Sequence, residues 1–262
     1  MKALYLASAA ALAIATPAIA ADSTSTVTQT GTNGLVNVDQ VGSLVGSEST
    51  VTQSGDSNEA YVTQADDGDN LDAPPINVSD VSQTGDNNLA EVSQTAQTIA
   101  LVNESLVDQS GSDNEAFVTQ VDDGQASVVV QSSDDNYAEV IQGDSMLAAS
   151  DSSYGNSSAV EQLGSGSHSA RVEQIGRENA SVISQDGFSN IADVYQTGSL
   201  NSSDIVQAGT DLYTEVDQTG SFNTSIVDQS GSANFIYVDQ SSDSNVSTVT
   251  QSGSGNTTFV AQ

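Results

Sequence analysis

Glutamine returns along this chain at a fixed interval, and that interval limits the possible folds more tightly than any compositional feature. The framing residues are Gln29, Gln40, Gln53, Gln64, Gln83, Gln94, Gln109, Gln120, Gln131, Gln142, Gln162, Gln174, Gln185, Gln196, Gln207, Gln218, Gln229, Gln240, Gln251 and Gln262. From Gln174 onward every gap is eleven residues, as from Gln185 to Gln196. Two positions before each glutamine stands Val or Ile in all twenty cases, with Ile183 and Ile205 the two isoleucines. Four positions before, alternate units differ. One kind carries serine throughout (Ser25, Ser49, Ser79 and onward to Ser247), the other mostly alanine, such as Ala60, Ala116 and Ala192. The true repeat is therefore about 22 residues, built from two similar halves.

Six positions before the glutamine, asparagine is the usual residue: Asn58, Asn88, Asn114, Asn136, Asn179, Asn190, Asn201, Asn223, Asn234, Asn245 and Asn256. The frame N-x-(S/A)-x-V-x-Q thus keeps all its fixed positions on one parity. Period two is the signature of a β-strand that turns those residues to one face, and helical spacing would scatter them. Between strands lies Q-x-G-x-x-N. Its glycines, Gly31, Gly55, Gly85, Gly111, Gly187, Gly209, Gly231 and Gly253, fit a tight turn that needs positive φ or close backbone approach, and Ser133 is the exception to the rule.

One strand–turn–strand rung cannot bury its inner face alone. Stacked rungs place each residue against its own kind about 4.8 Å away. That resolves the polar inner positions, because a buried amide is costly unless hydrogen bonded, and a column of amides can donate to one neighbour and accept from the other. The sequence predicts an all-β fold: a two-sheet β-solenoid of about ten rungs with amyloid-like cross-β stacking, roughly 48 Å long at the rung spacing. Small Ser and Ala columns imply sheets packed too closely for a ligand cavity. The larger insertions fall in the gaps 40→53, 64→83, 94→109 and 142→162, always between repeats, and predict bulges along one edge. "ADDGDNLDAPPI" (65–76) is the clearest, since Pro74-Pro75 cannot continue a ladder strand.

The chain opens with Lys2, an apolar stretch from Ala3 to Ala15, and the small-x-small triplet Ala18-Ile19-Ala20. This pattern predicts a secretory signal peptide over 1–20, too short to span a membrane, and a single repeat domain over 21–262. Formal net charge is -32, from 35 acids against three bases. Such acidity disfavours nucleic acid as a partner and favours divalent cations. There is no cysteine, hence no disulfide framework and no thiolate chemistry.

The frame S-x5-Q-x-G-x-x-N-x-A-x-V-x-Q resembles the curlin repeat of bacterial curli fibres. Ser47, Gln53, Gly55, Asn58, Ala60, Val62 and Gln64 match it slot by slot, and the resemblance extends over essentially all of residues 21–262. It implies a secreted structural subunit that polymerises with itself into extracellular amyloid fibres on a bacterial surface, for adhesion and biofilm matrix. It also implies export through a dedicated outer-membrane pore, seeding by a minor curlin nucleator, and no membrane insertion. Asparagine in the odd units leans toward the minor, nucleating type, whereas the ordinary closing unit "QSGSGNTTFVAQ" leans toward the major type, which we take as the expectation. The repeat count is higher than in familiar major curlins, and the first repeat begins almost at once after Asp22, where those proteins carry a non-repeat segment that guides secretion.

No catalytic residue is predicted. His168 is the sole histidine and occupies an Asn slot, which marks it as a structural stand-in, with no second His or Cys to build a triad or zinc site. No cofactor is expected. Calcium is the one candidate, at the acidic pairs Asp66-Asp67 and Asp122-Asp123 in inter-repeat turns, against the simpler reading of solvated acidic turns. A calcium-dependent adhesin that stays monomeric is the alternative function. An ice-binding array fails because Thr26/Thr28, Thr50/Thr52 and Thr248/Thr250 are interrupted by pairs such as Leu106/Asp108. On the outward side, Glu139, Arg171 and Asp193 share one slot, so Arg171 is expected to bridge two acids, worth about 0.2–1 kcal/mol each when exposed. Asp217 and Asp239 share another slot without a base between them.

Overall fold

A computed structural model describes residues 12–15, 23–41, 46–66, 76–96, 101–143 and 154–262. A short strand, β1 (Leu12–Ala15), precedes ten strand–turn–strand rungs. The first four rungs are β2 (Thr24–Thr30) with β3 (Leu35–Val41), β4 (Glu48–Ser54) with β5 (Glu59–Asp66), β6 (Ile76–Thr84) with β7 (Leu89–Ala96), and β8 (Val102–Ser110) with β9 (Glu115–Val121). The next three are β10 (Ala126–Gln131) with β11 (Tyr137–Gln142), β12 (Ser157–Gln162) with β13 (Ser169–Arg177), and β14 (Ala180–Phe188) with β15 (Ile191–Ser199). The last three are β16 (Ser202–Thr210) with β17 (Tyr213–Ser221), β18 (Thr224–Ser232) with β19 (Phe235–Gln240), and β20 (Val246–Gln251) with β21 (Thr257–Ala261).

Even strands form one ten-stranded sheet and odd strands an eleven-stranded one, each in chain order. Every pairing is parallel, and from β2 onward each joins a strand to its counterpart one repeat away, with the glutamine columns in register, as in Gln29↔Gln53 and Gln142↔Gln174. The period-two frame dictates this register: a slip of one residue would turn the valine and glutamine columns outward. Strand β1 adds to the β3 edge, Leu12 beside Leu35, and belongs to the stretch where the signal peptide is predicted. The cleavage triplet Ala18-Ile19-Ala20 lies outside the described residues.

Between the sheets runs one thin core. Val51, Val81, Val107, Val129 and Val160 from the even sheet face Ala and Val of the odd sheet, such as Ala60, Val62, Ala138 and Val140, all essentially solvent-free. Each valine buried in this way contributes about 1.5–3 kcal/mol. Val27 and Val260, in the end rungs, are only partly buried, because among the described residues no strand of their own sheet is stacked beyond them.

The four insertions each lie between an odd strand and the following even strand, at the junction of one repeat with the next. The inserted residues 42–45, 67–75, 97–100 and 144–153, Asp67 and Pro74-Pro75 among them, lie outside the described residues.

Candidate functional site

The repeated inner face is the first candidate, and glutamine organises it. In the even sheet Gln29, Gln53, Gln83, Gln109, Gln131, Gln162, Gln185, Gln207, Gln229 and Gln251 form one unbroken chain. Each Nε2 donates to the next rung's Oε1 at 2.6–3.1 Å. In the odd sheet Gln40, Gln64, Gln94, Gln120, Gln142, Gln174, Gln196, Gln218, Gln240 and Gln262 do the same at 2.8–3.1 Å. The second Nε2 hydrogen crosses the core and donates to a backbone carbonyl of the facing sheet. Gln64 reaches Glu48 at 3.0 Å, Gln109 reaches Leu89 at 2.9 Å and Gln196 reaches Ala180 at 2.9 Å. The glutamines therefore hold rungs together along the axis and bolt the two sheets across it.

Asparagine works differently from the amide-to-amide ladder that its spacing predicts. Only a few direct contacts of that kind occur, such as Asn114 Nδ2 donating to Asn88 Oδ1 at 3.1 Å. Elsewhere Oδ1 accepts the backbone N–H of the slot above, as from Asn88 to Asn58 at 2.9 Å and from Asn201 to Asn179 at 3.1 Å. Nδ2 turns to the neighbouring turn and donates to a glycine carbonyl: Asn58 to Gly85 at 2.8 Å, Asn190 to Gly209 at 3.2 Å, Asn234 to Gly253 at 3.0 Å. The reason is reach. An asparagine amide is one methylene shorter than glutamine's and sits beside the turn, so backbone groups of the turn are nearer than the next amide.

The column in the even sheet also includes Asn77, Asn103, Gln125 and Asn156, which are not among the asparagines expected from the sequence. Asn103 donates to Asn77 Oδ1 at 3.1 Å, Gln125 N–H donates to Asn103 Oδ1 at 2.9 Å, and Asn156 N–H donates to Gln125 Oε1 at 3.3 Å. Counting back six from each framing glutamine finds all four. In the odd column Leu212 takes the slot, buried, and its N–H donates to Asn190 Oδ1 at 3.1 Å.

His168 reproduces the asparagine pattern with a ring. Its N–H donates to Asn136 Oδ1 at 3.1 Å, its Nδ1 accepts Asn190 N–H at 3.3 Å, and its Nε2 lies 2.6 Å from the Leu163 carbonyl. Those contacts assign the neutral tautomer with the proton on Nε2. Burial depresses the imidazole pKa below its usual 6.5, against opposing contributions from the Leu163 carbonyl and Asp186. Both ring nitrogens are consumed in structure.

The turn glycines show two demands. Gly55, Gly85, Gly111 and Gly187 have φ of +106° to +131°, which side-chain-bearing residues rarely adopt. A Cβ at Gly55 would also collide with the Gly85 carbonyl oxygen. Gly209 is not in that φ region, yet its Cβ would strike the Gly231 carbonyl. Between repeats Gly176, Gly198 and Gly220 play the same part, as Gly164 does within one. Two residues further on, the chain enters the left-handed region at residues of many kinds: Ser57, Asp113, Leu200, Phe222 and Ala233 all have φ between +52° and +61°.

The acidic pair Asp122-Asp123 is not a solvated turn, since both residues are buried, at 3% and 1% exposure. Asp122 has φ +71° and its carbonyl accepts Asn103 Nδ2 at 2.8 Å. Among the described residues no group of three or more His, Asp or Glu side chains converges as a metal site would require.

The two outer faces differ in kind. The chain has seven Tyr and five Phe. Tyr61, Phe117, Tyr137, Tyr195, Tyr213, Phe235, Tyr237 and Phe259 all project from the odd sheet, interleaved with Glu59, Glu91, Glu115, Glu139, Glu173, Asp193, Glu215, Asp217 and Asp239. The even face carries threonines, aliphatic groups such as Leu106, Val128 and Val182, and acids such as Glu104 and Asp108, with Phe188 the one aromatic residue in its described strands. Arg171 lies in the odd face. Glu139 and Asp193 flank it in register, as the spacing requires, but the acids it bridges are Glu139 and Glu173, at Nε–Oε2 and Nη2–Oε2 distances of 3.0 Å. The ring of Tyr195 draws the guanidinium sideways: its centroid is 5.3 Å away and its hydroxyl accepts Nη1–H at 3.1 Å. Asp193 instead accepts the Tyr213 hydroxyl at 3.3 Å, and burial, with the Glu215 charge, lifts its carboxyl above the ordinary value. Asp217 is raised by burial and then by the charges of Asp239 and Glu215.

The curlin-associated repeat family matches residues 47–73, 169–198, 176–209 and 209–241. No curated protein matches the chain.

Proposed function

We propose that this chain, in which curlin-associated repeats are matched at several positions, is the structural subunit of an extracellular fibre, secreted and then polymerised end to end on the cell surface for adhesion and matrix. The observation that carries this reading is that its two ends are unfinished and complementary. Among the described residues, buried Gln29 Oε1 has no donor at the first rung, while at the last rung Gln251 and Gln262 have no further Oε1 to receive their amides. The half-buried Val27 and Val260 leave the core column open at each end. A second copy stacked on the last rung would continue both glutamine ladders and the valine column with no new type of contact. Parallel edges left unpaired in this way template further strands.

On this reading the leader matters for timing. Strand β1 covers the β3 edge, and removal of residues 1–20 would open it. A dedicated export pore and a minor nucleating curlin are the partners that such a subunit would meet. Structural repeats of this kind, with the sole histidine spent on backbone bonds, support a structural role over an enzymatic one.

Purified residues 21–262 should form fibres without added calcium, with a cross-β spacing of about 4.8 Å. A Val249→Lys/Val260→Lys variant places ammonium groups where the next copy's core would stack, and should elongate at least tenfold more slowly while keeping its β circular dichroism. A wild-type protein that stays monomeric until calcium is removed would reject the reading in favour of an adhesin.

A further inference from the structure

Arg171 displays what the odd outer face does with a guanidinium: two carboxylates fork it at 3.0 Å while a tyrosine ring lies 5.3 Å beneath its central carbon. The same ingredients recur close by, where Glu139 is engaged by Arg171 but Glu91 and Glu115 face no base among the described residues. A surface hollow of about 350 Å³ is lined by Glu91, Glu115, Phe117, Tyr137 and Glu139. Its two rings stand 5.7 Å apart at 41°. Burial and the Glu139 and Glu115 charges raise the Tyr137 phenol, although Arg171 pulls the other way.

The repeat domain has little to fill such seats with, since Lys2 lies in the predicted leader and only Arg171 and Arg177 remain. The whole chain has three bases against 35 acids. Arg171 is held as described, and Arg177 lies over the Tyr154 ring at 5.1 Å. The occupant is therefore foreign and cationic. Chemistry then separates the cations. An ammonium is compact and strongly hydrated, and gains mainly from the carboxylates. A guanidinium is planar and weakly hydrated, so it gains from carboxylates and rings together. We propose that the aromatic and acidic outer face of the odd sheet docks an arginine-bearing cationic polypeptide, with the Glu91–Glu115–Phe117–Tyr137–Glu139 hollow as a guanidinium seat.

The surface needs no free end, so binding to soluble monomer tests it separately from fibre growth. Labelled hexa-arginine, hexa-lysine and a neutral six-sugar glucan are titrated against residues 21–262 by fluorescence anisotropy, at about 50 and about 300 mM salt. Hexa-arginine should bind at least about fivefold tighter than hexa-lysine, and more weakly at the higher salt. Phe117→Leu/Tyr137→Leu keeps the apolar bulk and should reduce the arginine preference to about one. Glu91→Gln/Glu115→Gln, at exposed positions, should weaken both peptides, whereas Glu104→Gln/Asp108→Asn on the even face should change neither by more than about twofold. Equal affinities for the two peptides, equal losses from the even-face variant, or glucan binding in place of hexa-arginine would each overturn the proposal.

Discussion

At the scale of single residues, each inner column accepts a different bargain with burial. Glutamine fills its hydrogen-bonding capacity along and across the axis, and removing one strands several partners at once. Gln109→Leu would leave the Gln83 amide, the Gln131 oxygen and the Leu89 carbonyl unmatched, for a loss of about 2–4 kcal/mol. Serine does the opposite. The hydroxyls of Ser49, Ser79, Ser105, Ser127, Ser158, Ser181, Ser203, Ser225 and Ser247 are buried without a hydrogen-bond partner. Successive rungs hold them too far apart to bond with one another, and the alanines of most rungs offer no partner. Ser127→Ala should therefore be neutral or stabilising by about 1 kcal/mol. Denaturation midpoints of the monomer measure both, and an equal loss from the two variants would contradict this account.

At the scale of the strand and turn, the demand falls on two backbone positions, of which the sequence advertises one. Gly187 combines φ +114° with a collision against the Gly209 carbonyl for any Cβ placed there, so Gly187→Ala should cost about 2–3 kcal/mol. Leu200 holds φ +59° at a cost, and Leu200→Gly should recover up to about 1 kcal/mol. Urea titration of the two variants checks the opposite signs. The strands and the glycine turn were legible because one residue type fills each slot. The left-handed position was not, because Ser57, Leu200, Phe222 and Ala233 share no chemistry, only a φ. The asparagine bonds were illegible for a different reason. Stacking at one spacing satisfies both an amide–amide ladder and the observed clamp onto turn carbonyls, and side-chain length chooses between them. Arg171's second acid was likewise hidden, because strand register names its neighbours while the Tyr195 ring decides which way it leans.

At the scale of the whole molecule, acid repulsion opposes the stacking that the amides favour. The carboxyls of Asp217 and Asp193 are raised above 3.8 in the fold. Above that value the folded chain holds more protons at these sites than the unfolded one, so their penalty shrinks as pH falls through the raised values. His168 acts in the other direction: its depressed pKa withdraws stability as pH falls below 6.5. The acids outnumber this one ring, and each copy in a fibre repeats them. Thioflavin-monitored growth should be faster at about pH 4.5 than at about pH 8, and Asp217→Asn should narrow the difference by speeding growth at the higher pH. Identical kinetics at the two pH values would refute the repulsion argument.

The glutamine ladders also have a sense. Every Nε2 in both columns points toward the C-terminal rung and every Oε1 toward the N-terminal rung, from Gln29 to Gln251 and from Gln40 to Gln262. Twenty amide dipoles are thus aligned head to tail along one axis, positive toward the last rung, and each polarises the next. Copies joined first rung to last rung add their moments. The resulting filament is an electret with two unlike tips, and neighbouring filaments lower their field energy by lying side by side in opposite directions.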